Sequence, residues 1–339
     1  MPEEITNDNK KRLQWLDIMK GLLIFFVMVD HSLPGPMTER FYSPFFLAMF
    51  FWVGGYTFSL KDSFKTFIIS KIQHLVIPLF VLGGMRVIII CIMVGFGSLP
   101  ERLLGLVLQR CLVNDEMWFL SCLFVAELTM YFLLKFLNRI KEEKKRYCLL
   151  LLSELLLMVI GCVITCCLRV KLIWEIETAF IMVFYTGCGY VWRRSEKKAE
   201  ILLKLPVVLA FLAAYVALWY FIRESLYKPR LSDIEGFPMF FLKSLLMMPV
   251  IIYVTRKLEG SLVGKVSAFL GVNTLFFFAF GGFGRELFYM IMAKLGMDSA
   301  PWQAFACAVF ILCLMSGPAV LFKKLCPFAV GVKRKKIKN

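Results

Sequence analysis

The chain has 339 residues, of which 60% are hydrophobic and 19% are charged, and its mean hydropathy is +0.74. Soluble domains are usually about 45 to 50% apolar and roughly 25% charged, so this chain has too little polar surface for a water-soluble globule of its size. The composition excludes soluble, secreted, fibrous and disordered proteins, and it indicates a polytopic membrane protein.

Apolar runs long enough to span a bilayer recur along the whole sequence. They predict an all-α transmembrane bundle of about ten spans. The spans are placed near residues 15–34, 43–60, 75–97, 117–137, 148–168, 174–192, 205–222, 237–255, 266–290 and 302–322. We expect one integral membrane domain over residues 1–339, with a cytoplasmic segment at 1–14 and a basic cytoplasmic tail at 323–339.

The formal net charge of +16 is distributed unevenly about the predicted spans. With a cytoplasmic N-terminus, 27 of the 40 basic residues fall on the cytoplasmic side and 10 on the opposite side, and Lys20, Arg86 and Lys243 fall inside spans. The positive-inside rule predicts this asymmetry when both termini are cytoplasmic. The basic excess therefore indicates topology and contact with the lipid bilayer, and it requires no nucleic-acid partner.

The eleven cysteines lie mostly within apolar runs and show no CxxC or Cys/His metal spacing. Cysteine in such a run acts as a small, polarizable packing residue. The sequence therefore predicts no metal site.

The first apolar run contains three ionisable residues that share one helical face. Lys20 and His31 are eleven positions apart, which at 100° per residue is about three turns plus 20°, and Asp17 lies about 40° from His31 around the helix. At 1.5 Å per residue, Lys20 and His31 are roughly 16 Å apart along the axis. Such a stripe can line a path through the bilayer. Alternatively, Asp17 and Lys20 form an interfacial ion pair and His31 reaches the headgroups.

Arg86 lies in the middle of the third predicted span, where a charge needs an anionic partner. The candidates are Asp17, Glu127, Glu154 and an anionic ligand such as phosphate. The pattern alone does not choose among them.

Two other groups of charges fit ordinary surface positions. Lys243 is close enough to the end of its span for the ammonium to reach water along its aliphatic stem. Glu116, Glu175 and Glu177 fall on the side opposite the cytoplasm, where surface carboxylates are expected.

The polar stripe and four further segments resemble the acyltransferase 3 family of integral membrane O-acyltransferases. Residues 17–32 resemble the family's opening helix. In chain order, residues 42–56 resemble its second helix, 71–78 the basic entry to its third helix, 118–124 its Trp-Phe-Leu element and 270–275 its Gly-x-Asn-Ser-Leu element. Lys20 replaces an arginine that many members carry, which is similar to the sugar O-acetylase branch. Lysine keeps the charge but loses bidentate phosphate binding.

The resemblance implies transfer of an acetyl or other acyl group from acyl-CoA to a hydroxyl of a glycan, polysaccharide or lipid-linked sugar. It implies His31 as the catalytic base, with Lys20 and Asp17 also in the catalytic group. It assigns donor binding to Lys20 and Arg86. Substrate contacts are expected from the three residues that fall in the family's other elements: Trp118, Asn273 and Tyr56. Acetyl-CoA would be a donor substrate rather than a bound cofactor, and the expected location is the cytoplasmic membrane of a bacterium.

The chemistry of a sugar hydroxyl agrees with this assignment, since attack on a thioester needs a base to accept the hydroxyl proton. A neutral histidine suits that task near pH 7. A covalent acetyl-histidine is a less favoured variant. The main alternative function is a transporter or flippase, in which the intramembrane charges bind an anionic or glycan cargo.

Overall fold

A computed structural model describes residues 13–61, 63–109, 117–222, 236–297 and 300–330. Within these ranges the chain is almost entirely helical and contains no β-strand, which confirms the all-α prediction. The helices are α1 (Gln14–Asp30), α2 (Pro36–Tyr56), α3 (Phe64–Lys71), α4 (Ile77–Val94), α5 (Leu99–Leu108), α6 (Trp118–Leu137), α7 (Glu143–Cys162), α8 (Ile176–Arg194), α9 (Glu196–Ala199), α10 (Leu205–Phe221), α11 (Phe237–Lys257), α12 (Leu262–Val272), α13 (Thr274–Lys294) and α14 (Gln303–Leu325).

Six helical stretches among the described residues are long and apolar enough to cross a membrane. They are Phe64–Val94, Trp118–Leu137, Glu143–Cys167, Phe237–Lys257, Thr274–Lys294 and Gln303–Leu325. A seventh span results if Glu196–Leu203 and Leu205–Phe221, which are bent by 66°, act as one. The protein is therefore a multi-pass membrane protein, whereas the ten spans and the cytoplasmic termini stay predictions.

The structure corrects several predicted boundaries. Helix α2 begins at Pro36 rather than near residue 43, and the third helical stretch begins at Phe64 rather than near residue 75. The short helix α5 was not predicted. The ninth predicted span is two helices that meet at Asn273, whose side-chain amide donates to the Phe269 carbonyl. A side chain that bonds the backbone in this way favours a helix end over continuation.

Helices α1 and α12 cross at backbone contact distance, and two glycines permit this approach. A Cβ atom on Gly21 would lie 1.8 Å from the Ser267 carbonyl oxygen, and one on Gly271 would lie 1.8 Å from the Asp17 carbonyl oxygen. Small residues allow helices in membranes to approach in this way. The crossing fixes the first turns of α1, and hence the backbone that carries Asp17 and Lys20.

Candidate functional site

The polar stripe begins with an ion pair in the first turns of α1. The Lys20 Nζ atom lies 2.7 Å from Asp17 Oδ1, as the i,i+3 spacing favours. The Asp17 side chain is nearly buried, while that of Lys20 is 27% exposed. A carboxylate in the first helical turn is also stabilised by the helix dipole. The pair leaves the lysine ammonium accessible at one end of α1.

His31 lies at the opposite end of the same helix, where it forms the C-cap and is half-buried. Its backbone N–H donates to the Val27 carbonyl at 3.1 Å. The buried Ser32 next to it donates its hydroxyl to the Met28 carbonyl at 2.7 Å. These local bonds end the helix and set the path of the backbone that carries the imidazole.

Helix α13 contributes two side chains to this end of α1 that the sequence analysis did not assign. Arg285 Nη1 donates to the His31 carbonyl at 3.1 Å, and the Tyr289 hydroxyl donates to the Ser32 carbonyl. Arg285 also forms an ion pair with its neighbour Glu286. Arg285 and His31 are 254 positions apart, so no local spacing links them. The only sequence signal is a charged pair within the otherwise apolar run of α13.

Arg86 lies on α4 and is half-buried. Of its candidate partners, Glu127 pairs with Lys71 at 2.7 Å. Both carboxylate oxygens of Glu154 are buried and lack a hydrogen-bond partner among the described residues, so Glu154 does not pair with Arg86. The role of Arg86 in donor binding stays a prediction.

The three predicted substrate contacts lie in different parts of the bundle. Trp118 is the first residue of α6, and it is partly buried against the core. Asn273 lies between α12 and α13, two positions after the glycine that contacts the Asp17 backbone. Tyr56 ends α2, and its ring centroid is 5.1 Å from that of Trp15 at the start of α1. Asn273 and Tyr56 therefore lie toward the Lys20 end of α1.

Comparison with known proteins decides the family. The family model for the acyltransferase 3 acyltransferase domain matches residues 13–318, nearly the whole chain. The chain belongs to the acyltransferase 3 family. The match confirms the resemblance found in the sequence, and it identifies a membrane acyltransferase. No curated protein and no solved structure matches the chain.

The structure of this acyltransferase also corrects the predicted surface charges. Lys243 is fully buried on α11. The prediction that its ammonium reaches water is therefore wrong. Glu175 is 1% exposed and accepts a hydrogen bond from Thr178, and Glu177 is 0% exposed and accepts one from the Leu172 N–H. The start of α8 turns inward and brings both carboxylates into the protein; Glu116 lies outside the described residues.

A partly buried ion pair in the acyltransferase joins the third helical stretch to α6. Lys71 ends α3 directly before a π-helical turn at Ile72–Val76. Its ammonium contacts Glu127 and lies 5.5 Å from the ring centroid of Phe58. The pair holds the end of α3 against α6 directly before this turn, so it is a candidate structural support for the entry to α4. π-helical turns often occur at functional sites.

An apolar groove of about 580 Å³ lies between α4, α13 and α14 of the acyltransferase. Methionine and phenylalanine side chains form its walls, including Met85, Phe280 and Met315. Glu286 is the charged residue at its edge. The groove therefore reaches the residue beside Arg285, which contacts the His31 carbonyl.

Proposed function

We propose that this membrane acyltransferase moves an acetyl group from acetyl-CoA to a hydroxyl of a glycan, polysaccharide or lipid-linked sugar of the cell envelope. The observation that carries the proposal is the polar stripe of α1, with the Asp17–Lys20 ion pair at one end and His31 at the other. Within an acyltransferase, this arrangement supplies a cation for an anionic donor and a base for a hydroxyl acceptor.

The proposed chemistry assigns proton transfer to His31. Its neutral imidazole accepts the proton of the acceptor hydroxyl while the hydroxyl oxygen attacks the thioester carbonyl carbon. The carbon–sulfur bond then breaks, and the CoA sulfur leaves and takes the proton from the imidazolium. The products are an acetyl ester and free CoA, and the histidine returns to its neutral form.

The contacts of the His31 backbone support this role because a general base must be held in one orientation. Arg285 and Tyr289 bond the carbonyls of His31 and Ser32 and so restrain the last turn of α1. We expect this restraint to position the imidazole against the reacting atoms.

Lys20 is proposed to bind the donor. Its ammonium remains partly exposed while Asp17 holds it in place, so it can meet an anionic or polar part of the donor. The roughly 16 Å rise from Lys20 to His31 suits a donor that enters at the Lys20 end and extends its thin arm along α1. Arg86 is the second proposed donor contact. Trp118, Asn273 and Tyr56 remain the proposed substrate contacts.

The test uses membranes containing the full chain or no added protein, incubated with acetyl-CoA radiolabelled in the acetyl group. Free CoA and label in glycan and lipid-linked sugar fractions are measured with the native acceptor extract of the cell. We expect both CoA release and labelled glycan only with the protein. The absence of both signals, together with no acetyl-CoA binding, would contradict the proposal and favour the transporter alternative.

A further inference from the structure

Four aromatic rings form a buried cluster at the Lys20 end of α1. Trp15 of α1 contacts Trp52 and Tyr56 of α2, with ring centroids 6.1 and 5.1 Å away. Trp52 is also 6.0 Å from Trp192 of α8, in an edge-to-face arrangement. All four residues are less than 10% exposed. This ring cluster therefore joins α1, α2 and α8 where the polar stripe begins.

Two arginines stack on the ring cluster. The Arg256 guanidinium lies 4.9 Å from the ring centroid of Trp15, and that of Arg193 lies 5.7 Å from the ring centroid of Tyr56. Arg193 Nη1 also donates to the Tyr56 carbonyl at 3.1 Å. The guanidinium group is the side chain best suited to bind phosphate, because it presents several donors in one plane. The cluster thus carries positive charge at its edge.

Three buried N–H groups of this cluster lack an acceptor among the described residues. They are Nε1 of Trp52, Nε1 of Trp192 and Nε of Arg256. Buried polar atoms are usually hydrogen-bonded, and an unsatisfied one costs about 1 to 3 kcal/mol. Because all three atoms are donors, the missing group is an acceptor. A ligand that carries several oxygen atoms can supply such acceptors.

Glu259 Oε1 accepts a hydrogen bond from the backbone N–H of Trp15 at 3.0 Å. Glu196 of α9 supplies a second carboxylate at the cluster. Its carboxylate pairs with Arg256 and accepts from the Tyr56 hydroxyl, 3.3 Å from each oxygen. The Glu196 side chain is 37% exposed, against 26% for the side chain of Arg256. A carboxylate of the chain therefore occupies this position, and its exposure would allow an anionic ligand to replace it.

We infer that this ring cluster binds the nucleotide phosphates of the acyl-CoA donor, which replace Glu196 on Arg256 and Tyr56. The inference rests on the proposed function and names the donor-binding site within it. Trp15 and His31 are sixteen positions apart, so the cluster lies about 24 Å from His31 along α1. The donor's phosphates would stay at the cluster while its arm passes Lys20 toward His31.

The test measures binding of CoA to the purified full chain in nanodiscs of zwitterionic lipid. Arg256→Gln should weaken CoA binding by about tenfold, the usual loss for a charge-assisted hydrogen bond. Glu196→Gln should strengthen CoA binding severalfold, because it removes the competing anion. Lys257→Gln is the matched control, since it removes the same charge from the next residue of α11 and should leave CoA binding unchanged.

Thermal unfolding of each variant separates this role from a merely structural ion pair. A structural pair predicts that Glu196→Gln lowers the melting temperature without strengthening CoA binding, and that result would overturn the inference. Equal losses in Arg256→Gln and Lys257→Gln would also overturn it, because the effect would then be general electrostatics. If Arg256→Gln does not fold, Glu196→Gln and Tyr56→Phe still test the site, with Tyr56→Phe expected to weaken CoA binding.

The phosphate could also come from a membrane lipid headgroup. A second binding experiment, in nanodiscs with anionic lipid, distinguishes this source from CoA. Nanodiscs with anionic lipid should compete only weakly with CoA. If Arg256→Gln reduces affinity for anionic lipid but not for CoA, the inference is wrong. If CoA binding depends on Arg256 but the protein does not transfer acetyl, the proposed function is contradicted and the binding site is not. If Arg256→Gln transfers acetyl normally and binds CoA with unchanged affinity, the inferred binding site is contradicted and the proposed function is not.

Discussion

The two ends of α1 are held by different kinds of contact. At the Lys20 end, charged and aromatic side chains contact one another: Lys20 pairs with Asp17, and Arg256 stacks on Trp15. At the His31 end, the side chains of α13 bond to backbone carbonyls, with Arg285 on His31 and Tyr289 on Ser32. One end is therefore held by contacts between side chains, whereas the other is held by side chains bonded to backbone carbonyls.

This difference indicates that the two ends of α1 have different functions. Exposed or half-exposed charges suit the binding of an anionic donor, because they attract it and need little precision. A general base is effective only when its orientation is fixed, and hydrogen bonds to the backbone carbonyls of His31 and Ser32 help to fix it. We therefore expect changes at the Lys20 end to alter donor binding, and changes at the His31 end to alter the rate of transfer.

The largest effect is expected from His31→Ala. Removal of a general base should lower kcat by about 100- to 10,000-fold, while CoA affinity and expression stay the same. The measurement is the initial rate of acetyl transfer at saturating acetyl-CoA, at equal amounts of folded protein. Retained transfer would show that another group accepts the proton.

The next largest effect concerns the crossing that fixes the Lys20 end. Gly21→Ala places a Cβ atom 1.8 Å from the Ser267 carbonyl oxygen, so α1 and α12 must separate. Overpacking of this kind costs about 1 to 3 kcal/mol, and we expect a lower melting temperature in detergent. Gly84→Ala is the control, because a Cβ atom there meets nothing within 4 Å. Equal melting temperatures for the two variants would contradict the close crossing.

A smaller effect is expected from Arg285→Gln at the His31 end. Loss of the charged donor to the His31 carbonyl should lower kcat by about tenfold, with little change in the KM for acetyl-CoA. Arg285→Lys keeps one donor and should restore part of the rate. Lys294→Gln, on the same helix, is the control for lost charge. A raised KM with unchanged kcat would place Arg285 in donor binding instead.

The sequence was sufficient for the local features of the fold. The polar stripe, the start of α1 and the Asp17–Lys20 pair follow from helical periodicity within one segment, and the structure has them close to where they were predicted. The break at Asn273 was missed because the apolar pattern runs through it. A hydrogen bond from one side chain to its own helix, rather than a change in hydropathy, ends α12.

The sequence was not sufficient for contacts between distant segments. Lys71 and Glu127 pair across helices, and Arg285 reaches His31 from another helix, so neither contact has a local signature. Lys243 and Glu177 were predicted near water because each lies close to the end of an apolar run. Their burial depends on how neighbouring helices pack, which periodicity in one helix does not determine.

The most direct test compares Lys20→Gln with His31→Gln in one assay, because the account assigns donor binding to the Lys20 end of α1 and proton transfer to the His31 end. The measurement is kcat and the KM for acetyl-CoA, together with the Kd for CoA, in membranes supplied with native acceptor. We predict that Lys20→Gln raises the KM and the Kd while kcat changes little, and that His31→Gln lowers kcat while the Kd is unchanged. Loss of the same parameter in both variants would contradict the account.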